Sequence, residues 1–283
     1  MGEFESATGI RYSIVPDDVA DPMSQADVYF AETFADLWEM AEADQLRPVD
    51  ASLNGRVVVS QLVDPERRFV PLTAAPRAVV FNESLVSGDE VRTIVNLGAL
   101  ANERWKGRLC LSSSRLDGNR LLVAHLVSLN NRREAEVIVR RWLQNLAAAE
   151  FVNDEALFAA ITAADCGLGI LDLRLIGAAE RPASIGFHTF SDSTPLLFDI
   201  AGAGITRHAR SPVEAAALLE WLFTAEGSGA FAGAWPDMPL SREALNSQTE
   251  TSPGVAITMA ASLPELGFLL EEADLLIERA GYR

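Results

Sequence analysis

Short apolar runs rich in β-branched residues alternate along the chain with longer stretches whose apolar residues recur at helical spacing. The strand-like runs are IRYSIV, RVVVSQL, RAVVFN, GRLCLSSS, CGLGILDL and PLLFDIAGAGI. The helical spacing covers residues 27–44, 132–148 and 154–164. Strands that alternate with helices are typical of an α/β protein with mostly parallel sheets, in which helices cross over between strands.

Two helix ends are marked by their residues. The sequence Ser211-Pro212-Val213-Glu214 predicts a helix that begins with a serine cap, a proline in the first helical position and a capping-box glutamate. A last helix is predicted over 264–280, and Gly281 is the residue type that most often ends a helix.

The charge balance argues against nucleic acid as a partner. The chain carries 40 acidic and 23 basic residues, which gives a net charge of −17. A protein of this charge repels phosphate backbones and anionic membrane surfaces. No apolar run has the length of a membrane span, and the start MGEFESATGIRY lacks the basic and apolar regions of an export signal. Both a cytoplasmic protein and a mature exported one fit this start.

The two cysteines, Cys110 and Cys166, lie in apolar, strand-like stretches. Two are too few for a disulfide framework, and they do not have the spacing of a metal site. Two buried free thiols are the simpler expectation. If the two strands are neighbours, an oxidising compartment could join them, and the residues leave both alternatives open.

Several stretches, taken in order, resemble the ferric-iron-binding family of periplasmic solute receptors of ABC transporters. They cover nearly the whole chain: FESATGIRYSI, ADVYFAETFADLWEMAEADQLRPVD, RFVPLTAAPRAVVFN, WKGRLCLSSS, RRWLQNLAA, AGAGITRHARSPVEAAALLEWLF and ERAGYR.

The resemblance implies a type II periplasmic-binding-protein fold with two α/β lobes, a hinge of crossing strands and an interlobe cleft that closes on its solute. On this basis, the N-terminal lobe is expected to comprise residues 1–80 with 204–262, and the C-terminal lobe 81–203 with 263–283. Such a receptor is a periplasmic monomer that passes its small-molecule or ion solute to a membrane permease and does not catalyse a reaction.

The sequence departs from the family where the metal is held. The family binds Fe³⁺ with an adjacent tyrosine pair, because this hard cation favours phenolate and carboxylate oxygens. Leu171-Asp172-Leu173-Arg174 stands at that place here, and Tyr12, Tyr29 and Tyr282 match no expected ligand position. Glu32 falls where many relatives carry an acidic ligand and is the one candidate metal ligand. The family's first strand has no counterpart in this sequence, so either another segment covers that sheet edge or the gene product is longer.

Further candidate solute-binding residues follow from the resemblance and from chemistry. Ser112-Ser113-Ser114 come after a strand and before a helix, where hydroxyl and N–H groups suit either an anion or simple helix capping and turn chemistry. Asn119 lies just beyond them.

The remaining candidates are charged. Arg77, on the first crossing strand, could pair with a carboxylate or phosphate through its planar fork. Asp172 and Arg174 could form a substitute site or a mutual ion pair. Of the histidines, His125 is expected to be buried in an apolar helix, and only His188 is placed near the cleft.

Three functions compete on these observations. The first is a receptor for a small anion, a metal chelate or another polar solute, with tyrosine-based Fe³⁺ binding lost. The second is a receptor-like scaffold that acts as an interaction or regulatory module, with a cytoplasmic location as the alternative to the periplasm. An enzyme is the weakest, since the chain has no G-x-S-x-G elbow, P-loop, dinucleotide-binding glycine motif or H-E-x-x-H.

Overall fold

The computed structural model describes residues 2–16, 19–173, 175, 182–190, 197–234, 238–243 and 261–283. The strands are β1 (Val28–Ala31), β2 (Leu46–Arg47), β3 (Val70–Asn82), β4 (Leu109–Cys110), β5 (Leu168–Asp172), β6 (Ile185–His188), β7 (Leu197–Thr206) and β8 (Met238–Pro239). The α-helices are α1 (Gly2–Thr8), α2 (Phe34–Glu42), α3 (Ala51–Asn54), α4 (Gly88–Val91), α5 (Asp117–Leu129), α6 (Arg132–Asn145), α7 (Asp154–Thr162), α8 (Pro212–Leu222), α9 (Ala225–Ala234), α10 (Leu263–Phe268) and α11 (Leu270–Ala280).

The chain divides into two units. The first comprises Met1–Ala74 and Ile200–Ala256, and the second comprises Ala75–Asp199 and Ile257–Arg283. The boundaries fall within β3 and near the start of β7, so each of these strands carries the chain from one unit into the other.

In the first unit, β7 pairs with β1 from Ala31 opposite Gly202 to Val28 opposite Ile205, and β2 extends the pairing. The apolar face of α2 is buried, and Phe34 is fully buried. Phe4 of α1 packs against Trp221 of α8, with 5.5 Å between ring centroids. The first helix is therefore part of the core.

In the second unit, β5 lies between β3 and β4. Its apolar residues and those of α7 form a buried cluster that includes Val80, Leu157, Ile161, Leu171 and Ile185. Both faces of a strand inside such a sheet are covered, which is why every residue of β5 is buried.

The prediction of mostly parallel sheets is wrong for the ladders whose register the structure describes. β4 and β5 are parallel, whereas β1 and β2 run antiparallel to β7, and β5, β6 and β8 run antiparallel to β3. The reason is the course of the chain. β3 and β7 run through both units, and strands formed within a unit return along them.

Two predicted strands are absent from the described structure. Residues 10–15, with the run IRYSIV, have no regular structure, and RVVVSQL forms a single bridge from Val57 to Ser241 before a 3-10 helix over Ser60–Leu62. Both runs are rich in β-branched residues, but strand formation needs a partner strand in addition to propensity. The other four strand-like runs coincide in whole or in part with β3, β4, β5 and β7.

The helix ends are partly as predicted. Gly281 ends α11 with a φ of 80°, a left-handed conformation that glycine adopts without strain. Ser211 does precede α8, but its side chain makes no capping bond, so the predicted capping box is wrong. Its N–H instead donates to Asp27 Oδ1 at 3.0 Å. The predicted last helix is interrupted at Leu269 and consists of α10 and α11.

Cys110 and Cys166 form a disulfide bond within the second unit. The bond becomes possible because Cys110 ends β4 and Cys166 lies two residues before β5, the parallel neighbour of β4. Both residues are buried, at 0% and 1% exposure. Of the two alternatives left open by the sequence, the structure therefore has the bond. Among the described residues, no helix has the length and apolar character needed to cross a membrane.

Removal of the disulfide is expected to destabilise the second unit. A cross-link between residues 56 apart restricts the unfolded chain, and the loop-closure relation gives about 4 kcal/mol for a loop of this size. Urea unfolding of the native protein should shift to lower denaturant when dithiothreitol is added. The Cys110→Ala/Cys166→Ala variant serves as the control, since its unfolding should not respond to the reductant. Identical curves for the native protein with and without reductant would contradict the bond.

His125 on α5 is buried as predicted, and burial lowers the pKa of its imidazole to about 4. The unfolded chain then binds more protons than the folded one between pH 4 and the ordinary value of 6.5. Stability therefore rises with pH across this window. The free energy of unfolding should fall by about 3 kcal/mol from pH 7 to pH 4 through this group. His125→Leu should remove that share of the pH dependence in urea titrations, and an unchanged dependence would exclude the assignment.

Candidate functional site

The segment Ser112–Ser114, termed the serine loop, joins β4 to α5 in the second unit. Its backbone is held on two sides. The N–H of Ser113 donates to the carbonyl oxygen of Phe151 at 2.7 Å, and the N–H of Ser114 donates to that of Arg283 at 2.9 Å. A loop with its backbone groups satisfied inside the protein presents one conformation to solvent.

Asn119, in the first turn of α5, supports the loop from beneath. Its Nδ2 lies 2.9 Å from Ser112 Oγ and 2.9 Å from the carbonyl oxygen of Ser113, and 3.2 Å from the carbonyl oxygen of Ser112. Its Oδ1 accepts from Arg77 Nη2 at 3.0 Å. Asn119 is 1% exposed, so these bonds replace water that the side chain cannot reach.

Arg77 is a buried cation at 4% exposure. Its Nη2 also lies 3.4 Å from Asp154 Oδ2, and a Cβ added to Gly118 would come within 2.1 Å of its Nη1. Gly118 thus leaves the space that the guanidinium occupies. Among the described residues, its Nε has no hydrogen-bond partner. Burying such a charge is costly without partners, so the carboxylate and amide around it are required for stability.

Two carboxylates complete the surroundings of this arginine. Asp172 of β5 stands directly opposite Arg77 of β3 in the antiparallel ladder and is 6% exposed. Asp154, at the start of α7, accepts a hydrogen bond from Ser112 Oγ in addition to its contact with Arg77. The serine loop and the crossing strand are therefore linked through Asp154 as well as through Asn119.

Tyr282 contacts the loop from the other side. Its hydroxyl donates to the carbonyl oxygen of Ser112 at 2.7 Å, and its own carbonyl oxygen accepts from Ser114 Oγ at 3.1 Å. Burial raises the pKa of the Tyr282 hydroxyl well above its usual value; the nearby carboxylates of Asp154 and Glu150 add to this, whereas Arg77 opposes it. The phenol therefore keeps its proton at neutral pH and acts as a hydrogen-bond donor.

The structure brings most of the predicted site residues together. Ser112, Ser114, Arg77, Asn119 and Asp172 are all buried in the second unit and bonded or adjacent to one another. They form an internal network, and their polar atoms are directed to other protein groups.

The other predicted residues lie apart from this network. Ser113 is partly exposed, and its Oγ accepts from the N–H of Arg115 at 3.3 Å. Glu32 is exposed after β1 in the first unit, and Arg174 falls outside the described residues. Helix capping is not seen, because Leu116 precedes α5 without a side-chain capping bond. The turn chemistry expected as part of the same alternative is present, in the contact between Ser113 Oγ and the N–H of Arg115.

Sequence reasoning missed Asp154 and Tyr282. The sequence pattern predicts Asp154 only as part of a helix, and Tyr282 matches no ligand position of the family. No local signal distinguishes either residue, since their partners lie 42 and 170 positions away in the chain.

The described residues contain no group of three or more histidine, cysteine, aspartate or glutamate side chains arranged to hold a metal ion. His188 Nε2 lies 3.0 Å from the carbonyl oxygen of Ile94 within the second unit.

Two α/β units joined by long strands that pass through both, β3 and β7, match the predicted two-lobed fold. No protein-family model matches the chain. It is 23% identical to iron uptake protein A1 of Synechocystis, over 99% of this chain and 82% of that protein. Iron uptake protein A2 of the same organism is 24% identical over 74% of this chain and 63% of that protein.

Comparison with solved structures shows the same fold. A Trichodesmium protein (IdiA, FutA) in complex with iron and citrate matches with a TM-score of 0.87 and 20% identity, covering 100% of this chain and 94% of that one. Iron-bound HitA from Pseudomonas aeruginosa gives a TM-score of 0.81 at 19% identity, covering 99% and 94%. The predicted type II periplasmic-binding-protein fold and the resemblance to ferric-iron-binding proteins are thus confirmed. The matched proteins are binding and uptake proteins, in agreement with the prediction of a non-enzymatic protein.

Replacement of Asn119 by alanine should destabilise the second unit by about 3 kcal/mol, because Arg77 loses an acceptor and the buried oxygens of the serine loop lose a donor. Urea unfolding measures the loss. Asn131→Ala is the control: Asn131 caps α6 on the surface, and its loss should cost about 1 kcal/mol. Equal costs for the two variants would show that the network contributes nothing beyond a surface cap.

Proposed function

We propose that this chain is a solute-binding receptor for a ferric chelate such as ferric citrate, which it binds at the serine loop of the second unit. The observation that carries the proposal is the buried network of Arg77, Asn119 and Asp154, which fixes the loop and leaves Ser113 as its partly exposed residue. The similarity to iron uptake proteins over nearly the whole chain supports iron as the element transported.

A chelate fits the chemistry of the loop better than the bare ion does. Citrate brings its own carboxylate oxygens to the metal, so the protein needs hydrogen-bond donors rather than phenolates. The Ser113 hydroxyl can donate outward, and the exposed Arg115 lies two residues further along the chain. Asp172 occupies the place of the tyrosine pair and is buried opposite Arg77, which supports the proposed loss of tyrosine-based Fe³⁺ binding.

Tyr282 supports the same interpretation. Tyr282 is buried with its hydroxyl donated to a carbonyl oxygen and its pKa raised, so it is a poor source of a phenolate ligand.

We place the receptor in the periplasm, where it delivers its solute to an ABC-transporter permease. The Cys110–Cys166 disulfide supports an oxidising compartment.

One observation favours the second candidate, a receptor-like scaffold without a solute. Ser112, Ser114 and Arg77, all predicted solute contacts, are engaged with other protein groups. If the loop has lost binding altogether, these groups would serve only to stabilise the second unit.

A titration separates the two candidates. Metal-free protein is titrated with ferric citrate and, separately, with citrate alone, and bound iron is measured after desalting while visible absorbance and tryptophan fluorescence are followed. The receptor predicts saturable iron retention without a tyrosinate charge-transfer band. Appearance of that band would show that tyrosines still ligate the metal. Absence of any saturable response would favour the scaffold.

Ser113→Ala should weaken ferric citrate binding about tenfold, since one hydrogen bond to a charged group contributes about 1.5 kcal/mol. Ser6→Ala is the matched control, because Ser6 is an exposed serine on α1 in the first unit. Equal affinity of the Ser113→Ala variant and the native protein would remove Ser113 from the site.

A further inference from the structure

The residues that follow α11 direct one side chain, that of Tyr282, into the protein interior. α11 stops at Ala280, and the left-handed Gly281 is followed by Tyr282, whose side chain is 3% exposed. The N–H groups of both Gly281 and Tyr282 donate to the carbonyl oxygen of Ile277, at 3.0 and 3.1 Å. This turn gives Tyr282 a defined direction.

α11 is itself anchored to the helix that follows the serine loop. Arg120 of α5 donates from Nε and Nη2 to the two carboxylate oxygens of Asp274, at 2.9 and 3.0 Å. A bidentate pair of this kind fixes orientation as well as distance. This ion pair therefore positions α11 relative to the loop independently of the contacts that Tyr282 makes.

From this position the chain end makes three contacts with the loop. The Tyr282 hydroxyl bonds the carbonyl oxygen of Ser112, the Tyr282 carbonyl oxygen accepts from Ser114 Oγ, and the Arg283 carbonyl oxygen accepts from the N–H of Ser114. Contacts with both ends of the loop enclose Ser113 between them.

The hydroxyl has a role that ring packing cannot supply. The carbonyl oxygen of Ser112 already accepts from Asn119 Nδ2 at 3.2 Å, so the Tyr282 hydroxyl is a second donor to the same oxygen. The other polar group of that peptide unit, the N–H of Ser113, is bound to Phe151. With both groups held, the peptide plane that precedes Ser113 cannot rotate, and the starting direction of the Ser113 side chain is fixed.

We propose that Tyr282 is a positioning residue that acts through the Ser112–Ser113 peptide to hold Ser113 in its solute-contacting orientation. The orientation of the loop follows from the contacts alone, whereas its importance for binding rests on the proposed function. Tyr282 does not itself touch the solute.

The test compares Tyr282→Phe with the native protein by amide hydrogen exchange. Phenylalanine keeps the ring and removes the hydroxyl, so the loop should loosen while the fold persists. The amides of Ser113 and Ser114 should exchange about fivefold faster, as expected for the loss of one hydrogen bond of about 1 kcal/mol. The amides of Val79 and Val80 in β3 should keep their native rates. Tyr12→Phe is the matched control, since Tyr12 is 36% exposed in the first unit.

Two results would overturn the role. Unchanged exchange at Ser113 and Ser114 would show that the hydroxyl does not hold the loop. Equal acceleration at Ser113, Ser114, Val79 and Val80 would show that Tyr282 stabilises the whole unit and has no local role.

Binding supplies the functional half of the test. In Tyr282→Phe, affinity for ferric citrate should fall about fivefold, whereas Tyr12→Phe should bind as the native protein does. Native affinity in Tyr282→Phe together with faster loop exchange would show that the orientation of Ser113 does not matter for the solute, which overturns the proposed role. If the native protein itself fails to bind ferric citrate, the proposed function fails, and the exchange rates still decide whether Tyr282 holds the loop.

Discussion

The buried guanidinium of Arg77 is the constraint on which the polar network around the serine loop depends. A cation at 4% exposure must be surrounded by acceptors, and here Asn119 and Asp154 supply them. Both residues also bond Ser112, so the need to stabilise one charge determines the position of the serine loop. Gly118 is part of the same requirement, because a side chain there would occupy the space of the guanidinium.

This arrangement separates the candidate solute-binding residues into those that bond other protein groups and those that face solvent. The resemblance and side-chain chemistry together placed serines, an asparagine and an arginine in contact with a solute, because each can donate a hydrogen bond. In the structure most of those donors point to other protein groups, and Ser113 is the partly exposed member of its loop. Under the proposed function, the buried network holds the loop in place and Ser113 contacts a metal that is already chelated.

The disulfide and the chain end constrain the same region from two further directions. Cys110 lies two residues before Ser112, and its bond to Cys166 fixes β4 beside β5, the strand that ends at Asp172. Tyr282 and Arg283 hold the loop from the opposite end of the sequence. Because the loop is tied to segments far apart in the chain, its conformation depends on the completed fold of the second unit.

The sequence by itself determined the α/β class, the positions of most helices, the helix stop at Gly281 and the resemblance to ferric-iron receptors. These depend on local periodicity, on the backbone freedom of glycine and on the order of motifs, all of which can be identified from the amino-acid sequence alone. It also placed Arg77, Asn119 and the serine loop among the candidate solute-binding residues. Only the tertiary structure decided that IRYSIV and RVVVSQL are not strands, that β5 runs against β3, that Cys110 meets Cys166, and that Asp154 and Tyr282 complete the network. Those outcomes depend on which distant segments become neighbours, and the free energy of such contacts comes from burial and pairing that no single stretch of sequence contains.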